Sequence, residues 1–200
     1  GIDVDNENKG WEISKYSTFI KELYDELSPL GKIISIAGSP YRVCLTPDVF
    51  PYVDFVNLMT YDMGAPAHST FEHSMQALDL WIGHGIPKEK MLIGIPFYGR
   101  DGDDSFYEYW WIVEKYKPEP GQNEVSELKA FGGRIWWNGI SLAKEKVLYM
   151  KDNDFGGIMM YELGQDSHGD SSLLKAVYEV LENYPATPAL NLSESKVSGT

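Results

Sequence analysis

The chain of 200 residues, 43% of them hydrophobic and 14% aromatic, is long enough to bury one sizeable core, and this composition excludes a disordered or fibrous protein. Its 30 acidic and 17 basic residues give a formal net charge of −13, which opposes binding to nucleic acid or to an anionic membrane surface and favours a neutral ligand. No apolar stretch reaches the roughly 18 residues that a membrane span needs.

Five short, almost continuously apolar runs predict β-strands that are covered on both faces, as in a parallel sheet. These runs are residues 1–5, 33–38, 55–61, 91–97 and 157–161. Segments with helical periodicity separate or follow them, at residues 17–27, 70–84, 141–151 and 171–183. The apolar stripe of the second segment consists of Phe71, Met75, Leu78 and Ile82. The alternation of strands and helices predicts an α/β fold.

Two segments depart from this alternation. Residues 100–139 are rich in Tyr, Trp, Gly and Pro and are too long for an ordinary connection, so they form either a binding loop or a small excursion with its own packing. From residue 184 onward Pro, Ser, Thr and Asn dominate. We therefore expect one domain over residues 1–183 and a tail or linker over residues 184–200.

Three acidic residues alternate along the first predicted strand. Asp3, Asp5 and Glu7 are two residues apart, so their side chains point to one face of an extended segment. Three acids on one face of an apolar strand are costly unless they share protons or bind a polar ligand. A solvated edge strand or a divalent-cation site is the alternative, but the Gly and Glu that complete a calcium-binding loop are absent.

The cysteine and the histidines predict neither a metal site nor a cofactor. Cys44 is the single cysteine, which excludes an intramolecular disulfide and favours a small core residue. The four histidines lack the spacing of a zinc motif and are expected at the surface or in loops.

Polar and aromatic residues also follow the other predicted strands at their carboxyl ends. They are Thr60, Tyr61 and Asp62; Tyr98 and Arg100; and Tyr161, Glu162, Gln165 and Asp166. In a (β/α) barrel the ligand site is built at the carboxyl ends of the parallel strands. The sequence therefore predicts one site to which several strands contribute.

Four segments, in chain order, resemble the motifs of glycoside hydrolase family 18, the chitinases and related endo-β-N-acetylglucosaminidases. Residues 1–7 (GIDVDNE) resemble DGxDxDxE with its first Asp lost before residue 1, and residues 56–62 (VNLMTYD) resemble MxYD. Residues 93–100 (IGIPFYGR) resemble xPFYGR, and residues 156–166 (GGIMMYELGQD) resemble GGxMxWxxxQD. The resemblance implies a partial (β/α)8 TIM barrel, with strands four to eight of the family in a parallel sheet under outer helices.

The resemblance further implies cleavage of β-1,4-linked N-acetylglucosamine, in chitin or chitooligosaccharides, with retention and without an enzyme nucleophile. Glu7 would be the proton donor, while the substrate's own 2-acetamido carbonyl attacks the anomeric carbon to give an oxazolinium. Asp5 would orient the acetamido group and Asp3 would share a proton with it. Tyr61 would hold the acetamido carbonyl in line. No cofactor is implied.

The same resemblance assigns a set of substrate-binding residues. These are Met59, Asp62, Tyr98, Arg100 and Tyr161. Two positions depart from the family pattern: Asn6 stands where Trp or Tyr is frequent, and Tyr161 stands where a tryptophan usually forms the floor under the distorted sugar.

A complete barrel of this type has about 250 residues and eight strands, whereas five strands are predicted here. We expect the remainder of the barrel N-terminal to residue 1, in a protein that is secreted, periplasmic or on the cell surface. An endo-β-N-acetylglucosaminidase acting on N-glycan cores is one alternative, and the missing loops would distinguish it. A non-catalytic chitinase-like carbohydrate-binding protein and a cation-binding α/β domain are the others.

Overall fold

The computed structural model describes residues 1–7, 10, 12–64, 67–103, 105–126 and 133–183. Within these residues the strands are β1 (Ile2–Val4), β2 (Ile34–Gly38), β3 (Phe55–Leu58), β4 (Met91–Pro96), β5 (Tyr98–Asp101), β6 (Phe106–Glu108), β7 (Glu124–Val125), β8 (Ile135–Trp136) and β9 (Gly157–Tyr161). The α-helices are α1 (Ile13–Leu27), α2 (Phe71–Gly83), α3 (Tyr109–Tyr116), α4 (Ile140–Asp152) and α5 (Leu173–Asn183).

A five-stranded parallel sheet forms the centre of the fold, in the order β1-β2-β3-β4-β9. Its strands are the five that the apolar runs predict, and helices follow or precede them as expected. This confirms the predicted partial (β/α) barrel with a parallel sheet and outer helices. Because all strands run the same way, their carboxyl ends meet at one edge of the sheet.

Strands β1 and β3 end before the apolar runs that predict them do. β1 pairs with β2 only as far as Val4, opposite Ile36, and β3 ends at Leu58, opposite Ile93. The residues beyond these two strand ends therefore leave the ladder at the carboxyl edge. Of the predicted site residues, Asp5 and Glu7 lie beyond the end of β1, and Met59, Tyr61 and Asp62 lie beyond the end of β3, whereas Asp3 lies within β1.

The main core fills the space between this sheet and helices α1 and α2. Ile36, Val56 and Ile93 of the sheet pack there with Ile20 of α1 and Trp81 of α2, and all five are fully buried. Burying an aliphatic or aromatic side chain of this kind contributes about 1.5–3 kcal/mol. α2 begins at a capping box in which the Thr70 hydroxyl accepts a hydrogen bond from the His73 backbone N–H.

The segment after β4 builds a second, antiparallel sheet in the order β6-β5-β8-β7, with α3 packed on it. Its core contains Tyr109, Ile112 and Trp137, which pack with Ile95 and Phe97 of the β4 segment. Of the two interpretations of residues 100–139, the structure supports the small excursion with its own packing. Phe97 alone separates β4 from β5, so the two sheets are joined directly.

Residues 184–200 lie outside the described residues, and the division into a domain and a tail stays a prediction. None of the described helices is long and apolar enough to cross a membrane.

Candidate functional site

A cleft of about 980 Å³ opens at the carboxyl ends of the parallel strands. Residues from β1, β3, β5 and β9, or from the segments directly after them, line it. All nine site residues predicted from the sequence are among its lining residues: Asp3, Asp5, Glu7, Met59, Tyr61, Asp62, Tyr98, Arg100 and Tyr161. The structure thus brings the four motif segments together in one cleft.

The three acids of the first motif enter the cleft from β1 and from the residues after it. Asp3 is held from two neighbouring strands, because its Oδ1 accepts hydrogen bonds from Ser35 Oγ at 2.5 Å and from Asn57 Nδ2 at 3.0 Å. Asp5 and Glu7 lie beyond the last residue pair of β1 and are exposed to the cleft. Asp3 is exposed as well, so all three carboxyl groups are accessible to a ligand, and the Asp3 carboxylate is in addition fixed by its hydrogen bonds to the sheet.

Tyr61 presents a phenol next to these acids. Burial raises the pKa of Tyr61 above its ordinary value, and the nearby Tyr161, Asp5, Asp62 and Glu7 act in the same direction. The hydroxyl therefore keeps its proton throughout the neutral pH range and can donate a hydrogen bond.

Asp62 is the centre of a polar cluster on the cleft wall. Arg100 Nε donates to Asp62 Oδ1 at 2.9 Å and Arg100 Nη2 donates to Oδ2 at 2.8 Å, which is a bidentate pair. The Tyr98 hydroxyl also donates to Oδ1, at 2.9 Å. Asp62 has a φ of 55°, a left-handed conformation that is uncommon outside glycine and that recurs at functional sites.

The pKa of Asp62 follows from these contacts. Burial alone would raise it, but the contact with His68, the hydrogen bonds from Arg100 and Tyr98 and the charge of Arg100 together outweigh burial and hold the pKa well below its ordinary range. Asp62 is thus a carboxylate over the whole useful pH range and neutralises the charge of Arg100 at the cleft wall.

His68 lies behind Asp62, away from solvent. It is in a loop, as expected, but its side chain is only 1% exposed, so it is not a surface residue. Its Nδ1 is 3.3 Å from both the backbone nitrogen and Oδ1 of Asp62. Burial lowers the pKa of His68 against the opposing pull of Asp62, which favours a neutral ring at neutral pH.

Aromatic rings form much of the cleft surface. The rings of Tyr61 and Tyr161 are nearly parallel, with centroids 5.9 Å apart, and half of Tyr161 is exposed. The rings of Tyr98 and Phe106 stack at 4.5 Å, and the Arg100 guanidinium lies within 6 Å of both centroids. Flat apolar faces beside hydroxyl and carboxylate groups suit a neutral ligand with both apolar faces and polar edges.

The segment after β2 is a part of the cleft that the sequence analysis did not assign. Ser39, Pro40, Tyr41, Arg42 and Cys44 line the cleft there. The same strand-end argument that found the other residues applies to β2, but these residues carry no motif. Cys44 is partly buried, and burial raises the pKa of its thiol to about 11, as fits a packing residue rather than a nucleophile.

Two of the polar residues after β9 serve the fold instead of the cleft. The Asp166 carboxylate accepts hydrogen bonds from the backbone N–H of Leu173 and of Leu174, and from the Ser172 hydroxyl, at 2.7–3.1 Å. It therefore caps α5. Gln165 is buried. Neither residue lines the cleft.

No group of three or more His, Cys, Asp or Glu side chains among the described residues is arranged to hold a metal ion. The side chains of the cleft include the three exposed carboxyl groups of the first motif, the protonated phenol of Tyr61 and aromatic faces. This set can donate a proton to a ligand, orient an amide or hydroxyl group and stack on a ring.

Comparison with known proteins gives a consistent result. Residues 1–166 match the sequence profile of the family described as Glycosyl hydrolases family 18. The chain is 22% identical to probable chitinase 10 of Drosophila melanogaster, over 92% of this chain and 11% of the relative. It is 25% identical to endochitinase 1 of Metarhizium robertsii, over 64% of this chain and 39% of the relative.

Among solved structures, the chain resembles the GH18 chitinase ChiB from the chitin utilization locus of Flavobacterium johnsoniae. The TM-score is 0.77 at 30% sequence identity, and the match covers 90% of this chain and 59% of the other. The chain thus spans less than two thirds of the length of each of these three relatives.

Proposed function

The chain belongs to glycosyl hydrolases family 18, and from this membership we propose that its cleft binds and hydrolyses β-1,4-linked N-acetylglucosamine in chitin or chitooligosaccharides. The observation that carries the proposal is that the catalytic and substrate-binding residues assigned by resemblance, although up to 158 positions apart (3 to 161), line a single cleft. The Flavobacterium johnsoniae relative is described as a chitinase from a chitin utilization locus, which supports the same substrate class.

In this proposal Glu7 is the general acid. Its side chain is exposed in the cleft, so it can reach the oxygen that links two sugars. As Glu7 transfers its proton to that oxygen, the bond from the anomeric carbon to the oxygen breaks and the leaving sugar departs as an alcohol. The carboxylate that remains then takes a proton from the water that completes hydrolysis.

The substrate supplies its own nucleophile. The oxygen of its 2-acetamido group bonds to the anomeric carbon as the glycosidic bond breaks, which gives a positively charged oxazolinium. Water then attacks the anomeric carbon from the opposite face, so the configuration is retained overall. Asp5 accepts a hydrogen bond from the acetamido N–H and stabilises the positive charge, and Asp3, anchored by Ser35 and Asn57, supports Asp5 from the sheet side.

Tyr61 orients the acetamido group for attack. Its phenol keeps its proton and donates a hydrogen bond to the acetamido oxygen, which aligns that oxygen with the anomeric carbon. Tyr161, a half-exposed residue, forms the floor under the sugar. Met59, Tyr98, Arg100 and Asp62 shape the walls of the adjoining binding positions.

A polymer such as chitin cannot enter a cell, so this function also leads us to propose a secreted, periplasmic or cell-surface protein. Strands that precede residue 1 in the family's barrel would complete the cleft, and we propose that they belong to the same polypeptide. N-glycan cores and carbohydrate binding without turnover are the alternatives that the experiment below separates.

The test is hydrolysis of a fluorogenic chitotriose glycoside by the polypeptide that carries residues 1–200, compared with its Glu7→Gln variant. Glu12→Gln is the matched control, because Glu12 is also an exposed glutamate but is paired with Lys15 and lies outside the cleft lining. We expect Glu7→Gln to lower kcat at least about 100-fold, within the range of general acid catalysis, with Glu12→Gln unchanged. The product should keep the β-anomeric configuration by NMR.

Other outcomes identify the alternatives. Equal kcat in wild type and Glu7→Gln would remove Glu7 from the mechanism. Release of glycans from an N-glycosylated protein, with no cleavage of chitotriose, would assign the N-glycan function. Binding of chitotetraose by calorimetry without cleavage of either substrate would assign a carbohydrate-binding protein.

A further inference from the structure

A lysine is buried completely behind the cleft. Lys146 of α4 has no solvent-exposed surface, and the proposed hydrolysis does not use it. An amine in such a place is costly unless it is hydrogen-bonded and neutral. Burial lowers the pKa of Lys146 to about 7, with the charges of Glu145 and Glu72 opposing the change.

The amine of Lys146 forms two hydrogen bonds, and both are to Ser69. Nζ donates to the Ser69 carbonyl oxygen at 3.0 Å and to Ser69 Oγ at 2.9 Å. A neutral amine has two N–H groups, and these two contacts satisfy both of them. Lys146 therefore has the contacts of a structural or positioning group rather than of a surface cation.

Ser69 connects Lys146 to Thr60, which lies next to Tyr61 in the segment that follows β3. The Ser69 hydroxyl donates to the Thr60 carbonyl oxygen at 2.6 Å, and Asn138 Nδ2 donates to the Ser69 carbonyl oxygen at 2.9 Å. We call Lys146, Ser69, Thr60 and Asn138 the Ser69 cluster; all four are fully buried. Hydrogen bonds that are buried away from solvent are strong and directional, so the cluster fixes the position of Thr60.

The Ser69 cluster includes both ends of the segment 60–69, which carries the cleft residues Tyr61 and Asp62. Thr60 directly precedes Tyr61 and Asp62, and Ser69 directly follows His68. His68 returns to the start of the segment: its Nδ1 accepts from the Asp62 N–H at 3.3 Å, and its carbonyl oxygen accepts from the Met63 N–H at 2.9 Å. A shift of Ser69 would therefore move Tyr61 and Asp62 with it.

We propose that Lys146 is a positioning residue for the hydrolysis, which through Ser69 and Thr60 holds Tyr61 and Asp62 in their places in the cleft. The chemical part of this inference rests on the proposed function. Because Tyr61 orients the acetamido oxygen for attack, loss of the cluster acts on the chemical step more than on the binding of the sugar chain.

The experiment compares Lys146→Met with Lys90→Met. Lys90 is a matched control, because its partly buried Nζ also donates to two backbone carbonyl oxygens, of Phe50 at 3.0 Å and of Val53 at 2.6 Å. It precedes β4, at the amino end of the sheet and away from the cleft. Both variants lose an amine that donates two hydrogen bonds, so both should lower Tm, but only Lys146→Met should lower kcat.

We expect Lys146→Met to lower kcat about 100-fold with KM changed less than about threefold, the pattern of a misplaced orienting group. Lys90→Met should leave kcat within about twofold. Ser69→Ala, which retains the backbone carbonyl but breaks the bond to Thr60, should reproduce part of the effect and be non-additive with Lys146→Met. A fall in kcat no larger than that of Lys90→Met would overturn the proposal.

Amide hydrogen exchange at Asp62 and Met63 tests the positioning without any substrate. Exchange should accelerate at both amides in Lys146→Met, and in Ser69→Ala if the lysine variant does not fold, with no change in Lys90→Met. Unchanged exchange would refute the positioning role even in an active enzyme. If Lys146→Met accelerates exchange but the wild-type protein cleaves no chitotriose, Lys146 positions Tyr61 and Asp62, whereas the proposed hydrolysis is rejected.

Discussion

Gly94 of β4 leaves room for the ring of Tyr61. A Cβ atom at position 94 would lie 2.6 Å from Tyr61 Cε1 and 2.9 Å from the Leu58 carbonyl oxygen, both closer than side-chain carbons approach other atoms. The glycine thus lets the phenol lie directly against the strand, at the depth at which it lines the cleft.

We predict that Gly94→Ala displaces Tyr61 and lowers kcat about 10- to 100-fold, because a displacement of about 1 Å is enough for such a loss. Steady-state kinetics with a chitotriose glycoside would measure this. Gly83→Ala is the control: no atom lies within 4 Å of a Cβ there, so it should leave kcat unchanged. Equal kinetics in the two variants would show that Tyr61 tolerates the added methyl group.

Asp62 should stabilise the fold in a pH-dependent way. Its pKa in the folded protein is below the unfolded value, so the stabilisation is present above the unfolded pKa of about 3.9 and is lost as pH falls towards the folded pKa. Asp62→Asn has no carboxyl group at position 62, so it does not lose this stabilisation as the pH falls. Urea unfolding of both proteins between pH 6 and pH 3 should therefore give free energies that converge as the solution becomes more acidic, and parallel curves would contradict the assignment.

Lys146 should make the free energy of unfolding depend on pH in the neutral to alkaline range. Its folded pKa of about 7 is below its ordinary value, so between these two values the unfolded chain holds a proton that the folded chain lacks. Raising the pH makes it less favourable for the unfolded chain to hold that proton, so the stability of the folded protein rises by up to about 1.4 kcal/mol per pH unit. We predict that the free energy of unfolding of wild type, relative to Lys146→Met, increases from pH 7 to pH 9.5. A constant difference would mean that the amine is charged in the folded protein.

The floor position can be tested by changing the area of its ring. Tyr161→Ala removes the exposed aromatic face and should weaken chitotetraose binding about 2- to 10-fold, the range of an aromatic contact. Tyr161→Trp enlarges that face and should strengthen binding. Isothermal calorimetry with a Glu7→Gln background, which prevents turnover, would measure both. Unchanged affinity in Tyr161→Ala would show that the ring of Tyr161 does not form the floor under the sugar.

The sequence was sufficient to predict the sheet and its cleft, because five apolar runs define the parallel strands and a parallel sheet collects its carboxyl ends at one edge. It was incomplete for the buried face of α2. Leu78 of the predicted stripe is fully buried, and Met75 and Ile82 pack against the core while partly buried, but Ala77 and Trp81, which the stripe does not include, are fully buried too. The Trp81 indole N–H donates to the Ser39 carbonyl oxygen at 2.9 Å, a long-range contact that periodicity does not encode.

The polar residues behind the cleft could not be predicted either. Lys and His are usually exposed, and nothing next to Lys146 in the sequence marks it as different. Its partner Ser69 is 77 positions away, and His68 is buried only because the loop turns back on Asp62. Such burial depends on tertiary packing, which a single sequence shows only through motifs.

The order of the parallel sheet has a consequence for handling the protein. Among the described residues, β1 and β9 each pair with one strand only, so each leaves a row of backbone N–H and C=O groups open on its other side. Open rows of this kind recruit strands from other molecules. The net charge of −13 keeps two copies apart, and added salt screens that repulsion. Self-association of the 200-residue chain should therefore grow with ionic strength as well as with concentration, and dilute, low-salt buffers should keep it dispersed.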